Sequence, residues 1–360
     1  MRDILSDVIR WQRDGASIAL ATVVQTWGSS PRRAGAKMAL ASDGRIAGSV
    51  SGGCVEAAVF EAGIQVLKTN RPKLLHFGVA DETAWQVGLA CGGSIDIFVK
   101  PLDTVFFDSL RTAWTDESTS AHAAVIRGSA EILGNEILIH ENGDVSGRIG
   151  SGWDAEITAL ARDALAAGES RRFILDEETE VFVEIISPPP TLVVVGGVHI
   201  AIALVSLAKT LGYRTVLVDP RRAWGSEERF PHVDRLIQGW IDDAFTQIKI
   251  THSTAVAMLT HDPKLDDPAL KIALNSPAFY VGALGSKTTN MKRRERLLND
   301  GVSEAQLSRL HAPIGLDIGA ETPEEIALAV LAEVVTAYRK QNQLEVKKEA
   351  KPIQSLASGL

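Results

Sequence analysis

Cysteine is scarce: the 360 residues hold two, Cys54 and Cys91. That excludes a disulfide scaffold and fits a reducing, cytoplasmic setting. A basic excess is also missing. Thirty-seven Lys and Arg stand against 45 Asp and Glu, a net charge of −8, so there is no broad positive footprint for general nucleic-acid binding. No secretory signal is legible in MRDILSDVIRWQRDG, where charges are spread throughout and no apolar core segment forms. One run approaches the length of a short membrane span, Leu192 to Ala208, but a Gly pair, His199 and Ser206 interrupt it. It reads as a buried strand, a turn and a helix, so no membrane segment is expected. No His/Cys spacing resembles a zinc site. What remains is an ordinary globular balance, 45% hydrophobic and 23% charged. At about 150 residues per domain the length predicts two domains.

The sequence divides at Pro188-Pro189-Pro190, a stiff extended linker. Residues 1–187 read as an α+β domain. A helix is predicted over Asp3 to Arg13, then strands near 17–24, 38–40 and 45–50, a helix opened by Cys54, and strands at 73–77 and 94–100. Further on come a helix, strands at 121–127 and 136–140, an Asn142-Gly143 hairpin turn, a helix at 154–167, and strands near 171–175 and 180–186. Residues 188–340 alternate strand and helix strictly. Apolar strands fall near 191–196, 214–219, 234–238, 254–260, 278–284 and 310, with helices at 199–211, 241–247, 268–275, 287–299 and 323–340. Such runs suit a doubly wound parallel sheet covered on both faces. Residues 341–360 read as a flexible tail.

Three constellations carry chemistry. At the first strand-to-helix turn of the second domain stands Gly196-Gly197-Val198-His199-Ile200-Ala201, where a dinucleotide fingerprint belongs. Gly196 fills its first position and Ala201 its sixth, but Val198 stands where the second glycine should be. Asp219 ends the next strand, where a ribose-binding carboxylate sits, and Arg221 and Arg222 follow as partners for a 2′-phosphate. Two readings stand: a site for NAD(P), or a Rossmann-type fold with a degenerate pocket. Second, small and polar residues gather at strand ends, where open α/β sheets bind ligands: Thr260-His261-Asp262, Gly282 to Gly285 and Ser286, and Gly315 to Asp317. Ser286 also caps a helix whose N–H groups suit an anion. The run Lys292 to Arg296 reads as a solvated helix face. Among histidines His261 stands out; His76, His122, His140, His232, His252 and His311 read as structural or solvated.

Third, both cysteines touch glycine pairs, in Ser51-Gly52-Gly53-Cys54 and Cys91-Gly92-Gly93. Glycine lets backbone approach a ligand closely, and a helix N-terminus favours a thiolate. Glu56 shares the first turn with Cys54. The loop Ser29 to Lys37, with Arg32 and Arg33, offers cations and hydroxyls to an anion. The competing reading is a pair of buried, inert thiols.

These blocks resemble the XdhC/CoxI family, accessory proteins of xanthine dehydrogenase-type molybdenum hydroxylases. The resemblance rests on Gly28-Ser29-Ser30-Pro31-Arg32, Gly52-Gly53-Cys54-Val55-Glu56, Cys91-Gly92-Gly93, Thr260-His261-Asp262, Gly282 to Lys287, and Pro313 through Ala327. It covers about 17–101 and 191–340. It implies an N-terminal XdhC/CoxI domain and a C-terminal Rossmann-like domain. It also implies a carrier that binds the molybdenum cofactor, supports its sulfuration by a cysteine desulfurase and passes it to the apo-hydroxylase, as a homodimer. Relatives often read Gly-x-Gly-His at the Rossmann turn, a pattern Val198 breaks. A pterin cofactor with a thiophilic metal and a phosphate points to Cys54 as the molybdenum ligand and to Arg32 and Arg33 for the phosphate. The rival reading is an NAD(P)-dependent oxidoreductase; a scaffold with inert cysteines is the third.

Overall fold

The computed structural model describes residues 2–28, 32–78, 93–115, 118–150 and 152–349. It falls into two units, Met1–Pro188 and Pro189–Leu360, dividing within the proline run.

The first unit contains two five-stranded antiparallel sheets. In the first sheet the order is β3-β2-β1-β5-β4, with β1 Ile18–Trp27, β2 Lys37–Ala41, β3 Ile46–Gly48, β4 Lys73–Phe77 and β5 Ser94–Pro101. In the second it is β8-β7-β6-β10-β9, with β6 Ser120–Arg127, β7 Glu136–His140, β8 Val145–Arg148, β9 Arg171–Ile174 and β10 Glu180–Ile186. Helix α1 spans Arg2–Arg13, α2 Glu56–Thr69, α3 Thr104–Thr115 and α4 Asp154–Ala167.

Period-two alternation assigns each strand two faces. Ala19, Ala21, Val23, Ile95, Ile97 and Val99 pack with Val59 and Val66 of α2. Ala121, Ala123, Val125, Val181 and Val183 pack with Ile157 and Ala161 of α4. On the opposite faces the sheets share a small apolar cluster of Val24, Phe98, Ile126 and Phe182. Leu20 and Ala39 of the first sheet and Leu138 and Ile186 of the second join a larger cluster with α1 and α3, and the same strand faces also carry charges.

The second unit is a six-stranded all-parallel sheet. Its strands are β11 Thr191–Val195, β12 Arg214–Val218, β13 Arg235–Ile237, β14 Thr254–Met258, β15 Tyr280–Ala283 and β16 Leu310–His311. The order β13-β12-β11-β14-β15-β16 is the 3-2-1-4-5-6 order of a Rossmann-type sheet, with its switch point between β11 and β14. Helices α5 His199–Thr210, α6 Ile241–Thr246, α7 Pro263–Leu274, α8 Lys287–Asn299, α9 Glu304–Leu307 and α10 Pro323–Glu349 cover the faces. Val193, Val195, Val216, Val218, Val256 and Met258 face one layer. Leu192, Val194, Leu217, Ala255 and Ala257 face the other. Among the described residues no helix is long and apolar enough to cross a membrane.

Among the departures from the sequence expectation are three helix boundaries and one burial assignment. Helix α2 opens at Glu56 rather than Cys54, because the intervening residues form a tight turn. Helix α7 starts at Pro263, five residues before the expected 268, because Asp262 caps it and Pro263 suits a first helical position. The run 292–296 is not wholly solvated: Arg293 is buried. The last helix continues past residue 340 into the expected tail, to Glu349; residues 350–360 lie outside the described residues.

Candidate functional site

The turn between β3 and α2 is built around one carboxylate. Glu56 Oε1 accepts hydrogen bonds from Ser49 Oγ (2.6 Å) and the N–H groups of Ser51 (2.9 Å), Gly52 (3.0 Å) and Val50 (3.2 Å). Its Oε2 accepts from Ser51 Oγ (2.5 Å) and the N–H groups of Gly53 (2.9 Å) and Val55 (3.2 Å). Burial works against the charge, but the Ser49 and Ser51 hydroxyls and the Ser51 N–H outweigh it and hold the carboxyl down at about 2. Val55 caps α2 without a side-chain hydrogen bond, so the helix start is organised by the acidic residue that follows.

This changes the role expected for Glu56. Its carboxylate fills the ring of N–H donors that would otherwise cradle an anion, so it shapes the turn and leaves no cradle for a phosphate. Cys54 follows the ring, half-buried against the α2 core cluster, its N–H donated to Ser51 Oγ at 3.0 Å. Gly53, at φ +122°, is exposed, and a Cβ built there would meet no atom within 4 Å. Open space thus borders the residue before Cys54, whose own side chain packs at the edge of the α2 core cluster.

Arg32 lies half-buried on the neighbouring loop and donates Nε to the Ser49 carbonyl at 3.1 Å, joining that loop to the Cys54 turn. Arg33 is exposed. Cys91 lies outside the described residues, as do residues 29–31. A soft thiol, open space and two guanidinium groups suit a thiophilic metal carrying an anionic arm. The backbone donors of the turn do not add to that set, because Glu56 has taken them.

In the second unit the glycine turn closes on its own chain. Gly197 N–H donates to Asp219 Oδ2 at 2.8 Å, and Arg221 donates its N–H, Nε and guanidinium end to the same carboxylate at 2.7–2.9 Å. Asp219 is fully buried. Burial opposes its charge, and Arg221 together with the Gly197 N–H still lowers its pKa below the ordinary value. A Cβ on Gly197 would lie 2.4 Å from the Trp224 carbonyl. Arg229 donates to the Gly197 and Trp224 carbonyls at 2.7 and 2.8 Å, and Arg221 and Arg229 lie 5.1 and 5.4 Å from the Trp224 ring centre. The carboxylate expected to take a ribose thus has both oxygens occupied, and residues 221–229 cover the turn where a pyrophosphate would approach. A Cβ on Gly196 would lie 2.3 Å from the Thr260 methyl, so its glycine is required by strand-end packing.

The other strand-end residues also have local partners. Asp262 caps α7 by accepting from the Lys264 N–H at 3.0 Å, and Ser286 caps α8 by accepting from the Thr289 N–H at 3.1 Å. The Gly285 carbonyl accepts from Asn290 Nδ2 at 2.9 Å. His261 is exposed. His199 is also exposed, 3.8 Å from Glu324. Beneath the capped turns lies a pair that sequence reasoning missed. Asp266 accepts from Thr260 Oγ1 at 2.5 Å and from Arg293 at 2.8 Å, and both members of the ion pair are at most 2% exposed. Burial outweighs these bonds and pushes Asp266 up to about 6. Glu333 was missed too. It gathers Tyr280 (2.6 Å), His311 (2.9 Å) and the Gly315 N–H (2.7 Å), pinning the 313–319 segment to α10.

A second missed cluster lies in the first unit, between its sheets. Lys37 pairs with Glu184 at 2.7 Å. Glu184 lies 3.6 Å from His122 Nδ1, whose Nε2 is 3.0 Å from Glu136, and Glu136 pairs with Lys100. His122 and Glu184 stand directly opposite each other across β6 and β10. A charged residue at inward parity in an apolar strand, as in Glu180–Ile186, was the available signal.

Comparison with known proteins agrees with this architecture. A family model described as the XdhC and CoxI family matches residues 11–78, and one described as the XdhC Rossmann domain matches 192–334. A relative from Bacillus subtilis (strain 168), named as a probable xanthine dehydrogenase subunit, is 28% identical over 334 residues, covering 91% of this chain and 95% of the relative. The molybdenum cofactor insertion chaperone PaoD of Escherichia coli (strain K12) is 27% identical over 343 residues, covering 95% and 90%. A solved structure described as a xanthine dehydrogenase from Bacillus halodurans superposes with a TM-score of 0.76 at 25% identity, over 98% of both chains. With both domain types present in order, and the glycine–cysteine turn and strand-end motifs in place, the chain belongs to the XdhC/CoxI family.

Proposed function

We propose that the protein binds the molybdenum cofactor and delivers it to a xanthine dehydrogenase-type molybdenum hydroxylase. The observation that carries this reading is the Cys54 turn: a half-buried thiol beside the open, exposed Gly53, on a loop pre-set by Glu56 and tied to Arg32. The names of the relatives, a cofactor insertion chaperone and a xanthine dehydrogenase subunit, support it.

When bound, the group supplies an oxidised, thiophilic metal and a phosphate. In this reading Cys54 is the residue that holds the metal, and Arg32 and Arg33 hold the phosphate by charge-assisted hydrogen bonds. Glu56 keeps the turn rigid without competing for the metal, since its oxygens are saturated. The finer steps belong to the same proposal: sulfuration with a cysteine desulfurase, and work as a cytoplasmic homodimer. The nicotinamide alternative loses its main support, because Asp219 already binds Arg221 and the Gly197 N–H.

The test is molybdenum and pterin content of protein purified from a host that makes the cofactor, beside Cys54→Ala. Near-stoichiometric metal that disappears in the variant is the expected result. Metal retained in full by Cys54→Ala, with full activation of the partner hydroxylase, removes Cys54 from the site. No metal in either protein, where a known molybdoenzyme fills, removes the carrier reading.

A further inference from the structure

The seam between the two sheets of the first unit holds five titratable side chains in a row, Lys37, Glu184, His122, Glu136 and Lys100, alternating in sign when the imidazole is protonated. The first sheet supplies the lysines, from β2 and β5. The second supplies the carboxylates and the histidine, from β7, β10 and β6. Each side chain is about nine-tenths buried or more. His122 faces Glu136 and Glu184 through its two ring nitrogens and the uncharged Phe106 ring of α3, with ring centres 5.8 Å apart. Lys37 and Lys100 stand behind the two carboxylates.

One end of this row meets the roots of both loops of the proposed site. Glu184 Oε1 lies against Gly35, where an added Cβ would come within 3.3 Å. Gly35 ends the loop bearing Arg32 and Arg33. The Lys37 carbonyl accepts the Ser49 N–H at 3.2 Å and would lie 2.4 Å from a Cβ on Gly48. Ser49 in turn bonds Glu56 and the Gly52 N–H. The Glu184 carboxylate therefore touches the base of the arginine loop, and the main chain of its ion-pair partner Lys37 holds the base of the cysteine turn.

We propose that this buried row positions the two loops, and that the charge on His122 sets how firmly they are held. With His122 neutral, two lysines balance two glutamates, and Glu184 keeps Lys37 alone as its charged partner. The imidazolium adds a second cation to Glu184 and ties it to Glu136 across the sheet. Burial disfavours that charge, but the two flanking carboxylates overcome it and raise the histidine above its ordinary value. The added stability is thus complete below the unfolded histidine value, about 6.5, and is lost as pH rises through the folded one.

The inference rests on the two loops forming one site, yet its test needs no cofactor. Protein labelled with 15N and carrying Cys54→Ser, which removes thiol ionisation, is titrated by NMR between about pH 5 and about pH 9. The His122 ring nitrogens are expected to report a midpoint above about 6.5. The amides of Gly35, Ser49 and Gly52 are expected to shift with that same midpoint. In a folded His122→Asn variant that shared step should vanish. A His122 that stays neutral throughout, or that titrates while these amides stay flat, overturns the proposal. So does a step that survives His122→Asn. The titration with His122 in place decides even where the variant fails to fold. A shared step here, beside wild-type protein that holds no molybdenum when purified from a host that makes the cofactor, would leave this inference standing and refute the cofactor reading alone.

Discussion

Replacing Glu56 by Gln tests whether the carboxylate builds the Cys54 turn. A group held at about 2 against an ordinary 4.5 corresponds to roughly 3 kcal/mol. The carboxylate is half-open to solvent, which trims that to roughly 1–2 kcal/mol. Glutamine keeps the shape but removes the charge and turns an NH2 toward N–H donors. Since the folded carboxyl sits below its unfolded value, the contribution is complete above the unfolded value and fades as pH falls through the folded one. Amide hydrogen exchange at Gly52 and Gly53 is the direct assay, because both amides bond this carboxylate. Both should exchange roughly 5- to 30-fold faster at neutral pH in Glu56→Gln. The difference from wild type should shrink by about half or more on going to about pH 3. Unchanged exchange at neutral pH, or a difference that does not shrink in acid, refutes the argument that the charge holds the turn.

Two glycine substitutions should separate packing from access. Gly48→Ala places a Cβ 2.4 Å from the Lys37 carbonyl and 2.5 Å from Ile4, so it should cost about 2 kcal/mol or more in urea denaturation. Gly53→Ala meets open space and bears only the backbone strain of about 1–3 kcal/mol, so it should fold but lose molybdenum loading as measured by metal analysis. Arg293→Met leaves Asp266 buried without its cation and should cost about 3–5 kcal/mol in chemical denaturation of the second unit. NADH fluorescence should show no saturable binding to the wild-type protein, because Arg221 and the Gly197 N–H occupy Asp219; tight binding with turnover would restore the oxidoreductase reading.

Much of the fold was legible before any coordinates. The apolar runs from Leu192 to Ala283, alternating with helical segments, determine a parallel sheet, because only strands covered on both faces tolerate them. Asn142-Gly143 determined the β7–β8 hairpin, and glycines beside Cys54 marked a turn of special geometry. Those signals are local: propensity, periodicity and backbone freedom act over a few residues.

The tertiary structure decided which groups meet. Asp219 has the position of a ribose ligand in the sequence, but Arg221 two residues on folds back and neutralises it. Glu56 looked like a ligand beside Cys54 and proved to be the scaffold of its turn, because seven donors converge on one carboxylate. Lys37, Lys100, His122, Glu136 and Glu184 come from five separate strands and form one row. Alternation along each strand determined the face each would take. Only the packing of one sheet on the other determined that opposite charges would be buried together, since pairing a charge needs a partner whose distance in sequence carries no local signal.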